Sequence, residues 1–308
     1  MRALVTGGAG FIGSHIVEEL LRGGASVRVL DNFSSGKREN LEAFHGDLEI
    51  LEGDLRDSEA IKAATRDVEL VFHLAAFISV PQSMLDPEEC FATNVAGTVT
   101  LLEAARRAGV HKVVLSSSTA VYGNPDKFPT GEETPLRPLS PYALSKQVNE
   151  LYARLYTHTF NLPVTALRYF NVYGPRQRPD SAYAAAISIF TRQLVNGEPI
   201  TIYGDGKQSR DFIFVKDVVR ANLQASESDS AGEAFNICTG CETTLLDLLE
   251  TLSEVSPHQP QVRFEAQRPG DVYRSIGNPD KAAAILDFRA GTSLAKGLAQ
   301  TMEWMKSK

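Results

Sequence analysis

Tyr142 and Lys146 stand four residues apart, just after Ser140-Pro141. Serine caps helices and proline suits the first helical position. The spacing therefore predicts a helix over 141–159 with both side chains on one face. A free tyrosine titrates at about 10, too high for a base at neutral pH. A neighbouring ammonium and a cationic cofactor ring both favour its phenolate. Tyr142 could then remove a hydroxyl proton while hydride leaves the same carbon, with Lys146 also holding the cofactor's ribose. Ser118 follows a predicted strand, at the carboxyl edge of the sheet, where its hydroxyl can bond the same substrate oxygen. Ser118, Tyr142 and Lys146 are the candidate catalytic residues for interconverting an alcohol and its ketone. Alone, a Tyr/Lys pair on a helix is an ordinary surface pair; its company along the chain gives it weight.

The hydride needs an acceptor. Gly7, Gly10 and Gly13, with Gly8 as an extra glycine, lie between a predicted strand and a predicted helix. Glycine permits the tight turn and lets the backbone approach a pyrophosphate, which the helix N-terminus then attracts. Asp31 ends the second strand, 18 residues beyond Gly13. A carboxylate there can accept both ribose hydroxyls of an adenosine and repels a 2′-phosphate, which favours NAD over NADP. The basic pair Lys37-Arg38 leaves NADP open. Asp54-Leu55 could flank the adenine. Leu74-Ala75-Ala76 presents small side chains where the cofactor would pass, although packing explains them equally well.

The elements that must position these residues alternate. Apolar runs at 2–6, 26–30, 48–51, 69–74, 112–116 and 164–168 read as strands, and 11–22, 58–64, 90–108 and 141–159 as helices. Near-continuous apolar strands between helices indicate an α/β fold, a doubly wound parallel (Rossmann) sheet covered on both faces. Beyond Asn171 prolines and the turn Tyr203-Gly204-Asp205-Gly206 break the pattern. The expected division is a cofactor-binding domain over 1–171, with returning segments near 212–240, and a smaller C-terminal α/β substrate lobe over 172–308. A final helix is expected near 294–306.

The chain has 308 residues, enough for one large domain or two unequal lobes. Its net charge of −7 argues against general nucleic-acid or anionic-membrane binding, so an anionic substrate needs a local basic pocket. No run approaches the ~20 apolar residues of a membrane helix, and no signal peptide is evident. Cys90, Cys238 and Cys241 make no disulfide framework, and a reducing cytoplasm is expected. The C-x-x-C spacing of Cys238 and Cys241 has no second pair to complete a zinc site, and the six histidines are scattered. No metal is expected. His73 reads as structural.

These residues together resemble an extended short-chain dehydrogenase/reductase of the nucleotide-sugar epimerase and dehydratase group. The resemblance covers almost the whole chain. It rests on Thr6-Gly7-Gly8-Ala9-Gly10-Phe11-Ile12-Gly13, His73-Leu74-Ala75-Ala76, Asn94, Ser116-Ser117-Ser118 with Val121-Tyr122-Gly123, and Tyr142 with Lys146. It continues through Arg168-Tyr169-Phe170-Asn171-Val172-Tyr173-Gly174-Pro175, Ser209-Arg210-Asp211-Phe212 and Arg268-Pro269-Gly270-Asp271.

The resemblance implies oxidation at a sugar carbon by bound NAD, and a homodimer formed through paired helices. It adds Phe11, Ile12, Asn32, Ser35, Gly36, Asn94, Ser116 and Tyr169 to the cofactor-contacting residues named above. It implies that Asn171 and Arg210 meet the diphosphate of a UDP-sugar, that Asp271 binds the nucleotide ribose and that Arg268 approaches the nucleotide. Guanidinium groups match phosphate oxygens well. Dehydratases and decarboxylases of the group usually carry an acid shortly after the catalytic serine or threonine; Ser118-Thr119-Ala120-Val121-Tyr122 has none. A 4-epimerase, an isomerase that recycles its NAD through a 4-keto sugar, is therefore expected. Ser275, at the group's sugar-pocket gate, leaves room for an N-acetyl group, and the segment from Arg178 to Ala186 resembles that of epimerases accepting N-acetylated sugars. Ser79 could also bond the sugar. UDP-glucose/UDP-galactose and UDP-N-acetylglucosamine/galactosamine are the expected pairs. A UDP-glucuronate 4-epimerase or another nucleotide-sugar dehydratase or reductase is the alternative. A redox-inactive NAD-binding regulator is disfavoured by the intact Tyr142, Lys146 and Ser118.

Overall fold

A computed structural model describes residues 1–179, 186–256, 259–267 and 272–308. Its first half alternates β1 (Arg2–Thr6), α1 (Phe11–Arg22), β2 (Ser26–Asp31), α2 (Glu39–Glu42), β3 (Leu48–Glu52), α3 (Ser58–Thr65) and β4 (Leu70–His73). Then come α4 (Val80–Leu85), α5 (Pro87–Phe91), α6 (Gly97–Ala108), β5 (Lys112–Ser118), α7 (Pro141–Phe160), β6 (Val164–Tyr169) and β7 (Asn171–Tyr173). The remainder holds α8 (Ala186–Asn196), β8 (Ile200–Tyr203), β9 (Ser209–Arg210), β10 (Phe212–Phe214), α9 (Val215–Glu227), β11 (Ala234–Ile237) and β12 (Thr243–Thr244). It ends with α10 (Leu245–Val255), β13 (Val262–Glu265), β14 (Arg274–Ser275), α11 (Asp280–Leu286) and α12 (Leu294–Lys306).

Seven strands form a parallel sheet in the order β11-β6-β5-β4-β1-β2-β3. The chain winds from β1 through β2 to β3, then crosses back to β4 on the other side of β1. The carboxyl ends therefore part between β1 and β4, the place where open α/β sheets take ligands. Apolar runs such as Ala3, Leu4 and Val5 or Val113, Val114 and Leu115 are buried because helices cover both faces.

On one face Ile16, Val17 and Leu20 of α1 pack with Val218, Val219 and Ala221 of α9. On the other, Ile61 of α3, Leu101 and Leu102 of α6 and Tyr156 of α7 form a second core. Each fully buried leucine contributes about 2 kcal/mol. A third core joins α8, α10 and α12 through Phe190, Leu248 and Leu298, with Phe11 and Ile12 of α1 packed against it. The start of α1 thus touches both halves of the molecule.

The helix expected as one unit over 90–108 is interrupted. Asp86 caps α5 by accepting from Glu89 N, and Pro87 fills the first turn, so the helix begins earlier. A wide π-helical turn over Ala92–Ala96 then precedes α6. This turn carries the buried Asn94, whose amide meets both backbone groups of Phe77 (2.7 and 3.0 Å) and Ser145 Oγ (2.9 Å). Those partners outweigh regular i to i+4 bonding at that turn. The helix bearing Tyr142 starts as expected: Ser140 Oγ accepts from Ala143 N, and Asn161 ends α7 with φ 54°. Among the described residues, no helix is long and apolar enough to cross a membrane.

Candidate active site

The turn from β1 to α1 depends on its glycines. Gly7 has φ +68°, and a Cβ there would lie 2.7 Å from Ala75 N. A Cβ on Gly13 would lie 2.2 Å from Gly7 O. Neither position admits a side chain. Gly10 supplies no side-chain cap to α1, so the first-turn N–H groups keep their positive end toward the cleft. A cavity of about 600 Å³ opens there, lined by Gly7, Gly10, Phe11, Ile12, Gly13, Asp31, Asn32, Ser35, Asp54, Leu55, Leu74, Ala75, Ala76, Ser79, Ser116, Tyr142, Lys146 and Tyr169. One cavity thus collects most of the expected cofactor set.

Asp31 does more than the sequence suggests. Ala9 N donates to its Oδ2 at 2.9 Å and Phe33 N to its Oδ1 at 2.8 Å, so it braces the glycine turn while lining the cavity. Burial pushes its carboxyl above the usual range, and the two N–H groups oppose that shift. Gly36 packs beside it, 3.0 Å from an added Cβ to Oδ2. Arg38 lies over the Phe33 ring, 4.1 Å from its centre, and pairs with Glu52.

Arg56 and Glu89 were not singled out in the sequence, yet both line the cavity. Arg56 grips both oxygens of Asp54 (2.7 and 2.8 Å) and reaches Glu89 at 2.7 Å. Asn32 Nδ2 donates to Asp54 as well, at 2.7 Å. The Arg56 hydrogen bond holds the Asp54 carboxyl well below the usual carboxylate range. Nothing local marks this pair, because Arg56 and Glu89 lie 33 residues apart.

At the far end, Lys146 Nζ donates to Ser116 O (2.9 Å) and Oγ (3.3 Å). Burial lowers the Lys146 ammonium to about 8. Burial raises the Tyr142 phenol above its ordinary value, and a hydrogen bond with Ser118 partly offsets this. The ammonium expected to lower Tyr142 instead faces Ser116. Its Nζ still lies 5.8 Å from the Tyr142 ring centre, so its charge favours the phenolate without a direct hydrogen bond. Ser118 Oγ also accepts from Ala120 N at 3.2 Å, holding the turn after β5. Tyr169 donates to Asn222 Oδ1 at 2.9 Å.

Ser118, Gly36, Asn94, Asn171, Arg210 and Ser275 are not among the residues lining this cavity. Asn94 supports the wall from behind through Phe77 and Ser145. Asn171 Nδ2 donates to Asp211 O at 3.2 Å, and Arg210 faces Ser275 in register across β9 and β14. Arg210 and Ser275 thus lie side by side, and Asn171 reaches the residue that follows Arg210. Ser79 caps α4 by accepting from Gln82 N. Arg268 and Asp271, and most of the segment after Arg178, lie outside the described residues. His73 bridges Thr6 Oγ1 (2.7 Å) and Thr98 Oγ1 (2.9 Å), and burial lowers it to about 3.

The residues fit a dinucleotide. The glycine cradle meets a helix N-terminus at the switch point, and an Asp closes β2 where ribose hydroxyls would come. A family model described as the NAD dependent epimerase/dehydratase family matches residues 3–238. A UDP-glucose 4-epimerase of Mycolicibacterium smegmatis is 41% identical over 100% of this chain and 99% of its own length. A UDP-N-acetylglucosamine 4-epimerase structure from Methanobrevibacter ruminantium, in complex with UDP-N-acetylmuramic acid, superposes with TM-score 0.95 at 39% identity, covering 99% of this chain and 98% of that one. A Thermus thermophilus UDP-glucose 4-epimerase complex with NAD superposes with TM-score 0.90 at 40% identity, covering 99% of each chain.

Proposed function

The chain belongs to the NAD-dependent epimerase/dehydratase family, and we propose that it inverts C4 of UDP-hexoses, plain and N-acetylated. The observation that carries this reading is the end of β5. Ser116 meets Lys146, Ser118 meets Tyr142, and the turn Thr119–Tyr122 that follows contains no carboxylate. An acid there would assist elimination or loss of a carboxylate; without one, the chemistry is oxidation and return.

Gly7, Gly10, Gly13 and Asp31 would hold the cofactor. When bound, NAD supplies a reversible hydride acceptor. Tyr142 Oη takes the proton of the sugar 4-hydroxyl and later returns it. Ser118 orients that oxygen, and Lys146 holds the ribose and steadies the developing negative charge. The 4-keto sugar must turn about its phosphate link between the two transfers. Asn171 and Arg210 would hold the diphosphate meanwhile, with Arg268 and Asp271 toward the nucleoside. The compact side chain of Ser275 supports acceptance of an N-acetyl group, and Ser79 is a further hydroxyl toward the sugar.

We assign the cofactor to residues 1–171 with returning segments near 212–240, and the nucleotide-sugar to 172–308. The protein would work as a homodimer through α7, where Leu144, Leu151 and Leu155 are 51%, 61% and 44% exposed along one stripe. Three unpaired cysteines suit a reducing cytoplasm. The test is a panel of UDP-sugars incubated without added cofactor, with products identified by NMR. C4 inversion of both UDP-glucose and UDP-N-acetylglucosamine is expected. Inversion of UDP-glucuronate alone would move the assignment to that substrate.

A further inference from the structure

Two successive turns of α7 hold two successive residues of β5. Lys146 holds Ser116, and one turn later Glu150 holds Ser117, whose Oγ donates to Glu150 Oε1 at 2.5 Å. Arg168 of β6 faces Ser117 in register and closes the knot. Its Nε donates to Glu150 Oε1 at 2.9 Å and its Nη2 to Oε2 at 2.7 Å. Arg168 Nη1 donates to the Tyr122 hydroxyl at 2.7 Å, which donates to Asn236 Oδ1 at 2.7 Å. The Arg168 and Glu150 side chains are only 6% and 9% exposed.

A buried ion pair is a weak stabilising device, since desolvation of both charges offsets most of their attraction. Well-packed apolar residues often do as well. What an apolar pair cannot supply is a hydrogen-bonded register and a fixed negative charge. Both fall where the reaction would need them: Tyr142, Lys146 and Glu150 follow one another at intervals of four on α7, and the serines sit opposite.

We propose that Glu150, locked by Arg168, is a positioning residue of the epimerisation: it fixes the turn of α7 that presents Lys146 to Ser116 and places a negative charge one turn from that ammonium. The inference rests on the epimerase reading. Among the described residues around Lys146, Glu150 of α7 favours its charged form, Cys90 of α5 is a thiol that burial keeps protonated, His73 of β4 is neutral by burial, and the Tyr142 ring centre lies 5.8 Å from Nζ.

Glu150→Gln tests this, because an amide oxygen can still accept from Ser117 or Arg168 while the charge is gone. Two readouts are taken on the protein as purified. One is the pH dependence of kcat and KM for UDP-glucose. The other is the titration of Lys146, followed by NMR with 13C-labelled lysine and assigned by loss of its signal in Lys146→Met. The alkaline limb of kcat and the Lys146 midpoint should both move to lower pH, with KM little changed. A Glu150→Met/Arg168→Met double variant removes both charges. It should unfold near the wild-type denaturant concentration yet keep a depressed kcat. An unshifted profile and titration in Glu150→Gln overturn the proposal, and so does wild-type kcat in the double variant, which also carries the test if Glu150→Gln does not fold. Wild-type protein that inverts no UDP-sugar refutes the epimerase reading separately, and the lysine titration still decides whether Glu150 acts on Lys146.

Discussion

Lys146 Nζ lies 5.8 Å from the centre of the Tyr142 ring, yet its hydrogen bonds go to Ser116. The lysine is thus a fixed charge beside the phenol rather than its partner. Tyr142→Phe should retain bound NAD and lose at least about a hundredfold in kcat, the usual scale for general acid–base catalysis. Nucleotide released by denaturation and turnover of UDP-glucose give the two numbers; near-normal turnover would end the assignment. Lys146 titrates at about 8, below a free lysine. Its ammonium is present below that pH and disappears as pH rises through it, so wild-type kcat should decline above pH 8.

Asp31 carries both the glycine turn and the expected ribose contact. Asp31→Asn keeps an acceptor for Ala9 N but removes the charge. NAD should bind roughly tenfold more weakly, the scale of one charge-assisted hydrogen bond, and NADP should be discriminated against less. Competition between the two nucleotides reads the ratio directly, and an unchanged ratio removes Asp31 from cofactor choice.

Gly13→Ala should be among the most damaging small substitutions in the chain. Its Cβ would meet Gly7 O at 2.2 Å, backbone against side chain with nothing flexible to yield. Overpacking of this kind costs about 1–3 kcal/mol, and the turn must open to relieve it. Loss of retained NAD with a lower unfolding midpoint is expected. Full NAD occupancy in the variant would show that the turn yields to the added methyl and would refute the prediction.

His73 makes stability fall with acid. Its ordinary value is 6.5, and burial lowers it to about 3. The unfolded chain takes up the proton first, so the stabilisation is complete above 6.5 and is lost as pH falls toward 3. The loss is about 1.4 kcal/mol per pH unit in that window. His15, lowered to about 4 mainly by burial, adds to it. Urea unfolding at pH 7 and pH 5 should show a smaller pH effect in His73→Gln than in wild type, and equal effects would refute the account.

Leu151 is 61% exposed in the middle of the α7 stripe. Leu151→Lys would place a charge in the proposed dimer seam and should yield monomers by light scattering while leaving unfolding of the monomer little altered. A wild-type monomer at the same concentration excludes the dimer.

Much of this was legible because it is local. Strands such as Arg2–Thr6 announce themselves by apolar runs, and α7 by Ser140, Pro141 and its periodicity. The glycine spacing and the Tyr142/Lys146 interval are likewise short-range signals. What could not be read is long-range. The π-helical turn exists because Asn94 finds Phe77 and Ser145, 17 and 51 residues away. Arg56 reaches Glu89, and Ser117 reaches Glu150, across comparable gaps. The direction of the Lys146 side chain depended on a strand 30 residues earlier. No pattern within one helix encodes such partners.

The order of strands in the sheet also bears on how the molecule is made. β6 is complete at Tyr169, but the strand that pairs with its outer side, β11, begins only at Ala234. A nascent chain therefore emerges with six strands and an open row of backbone groups on β6, an invitation to pairing with another chain. Everything between β6 and β11 must be synthesised before that row is covered. A truncation between Tyr169 and Ala234 would leave a sticky border on β6, so the far part of the sequence protects the near part from aggregation.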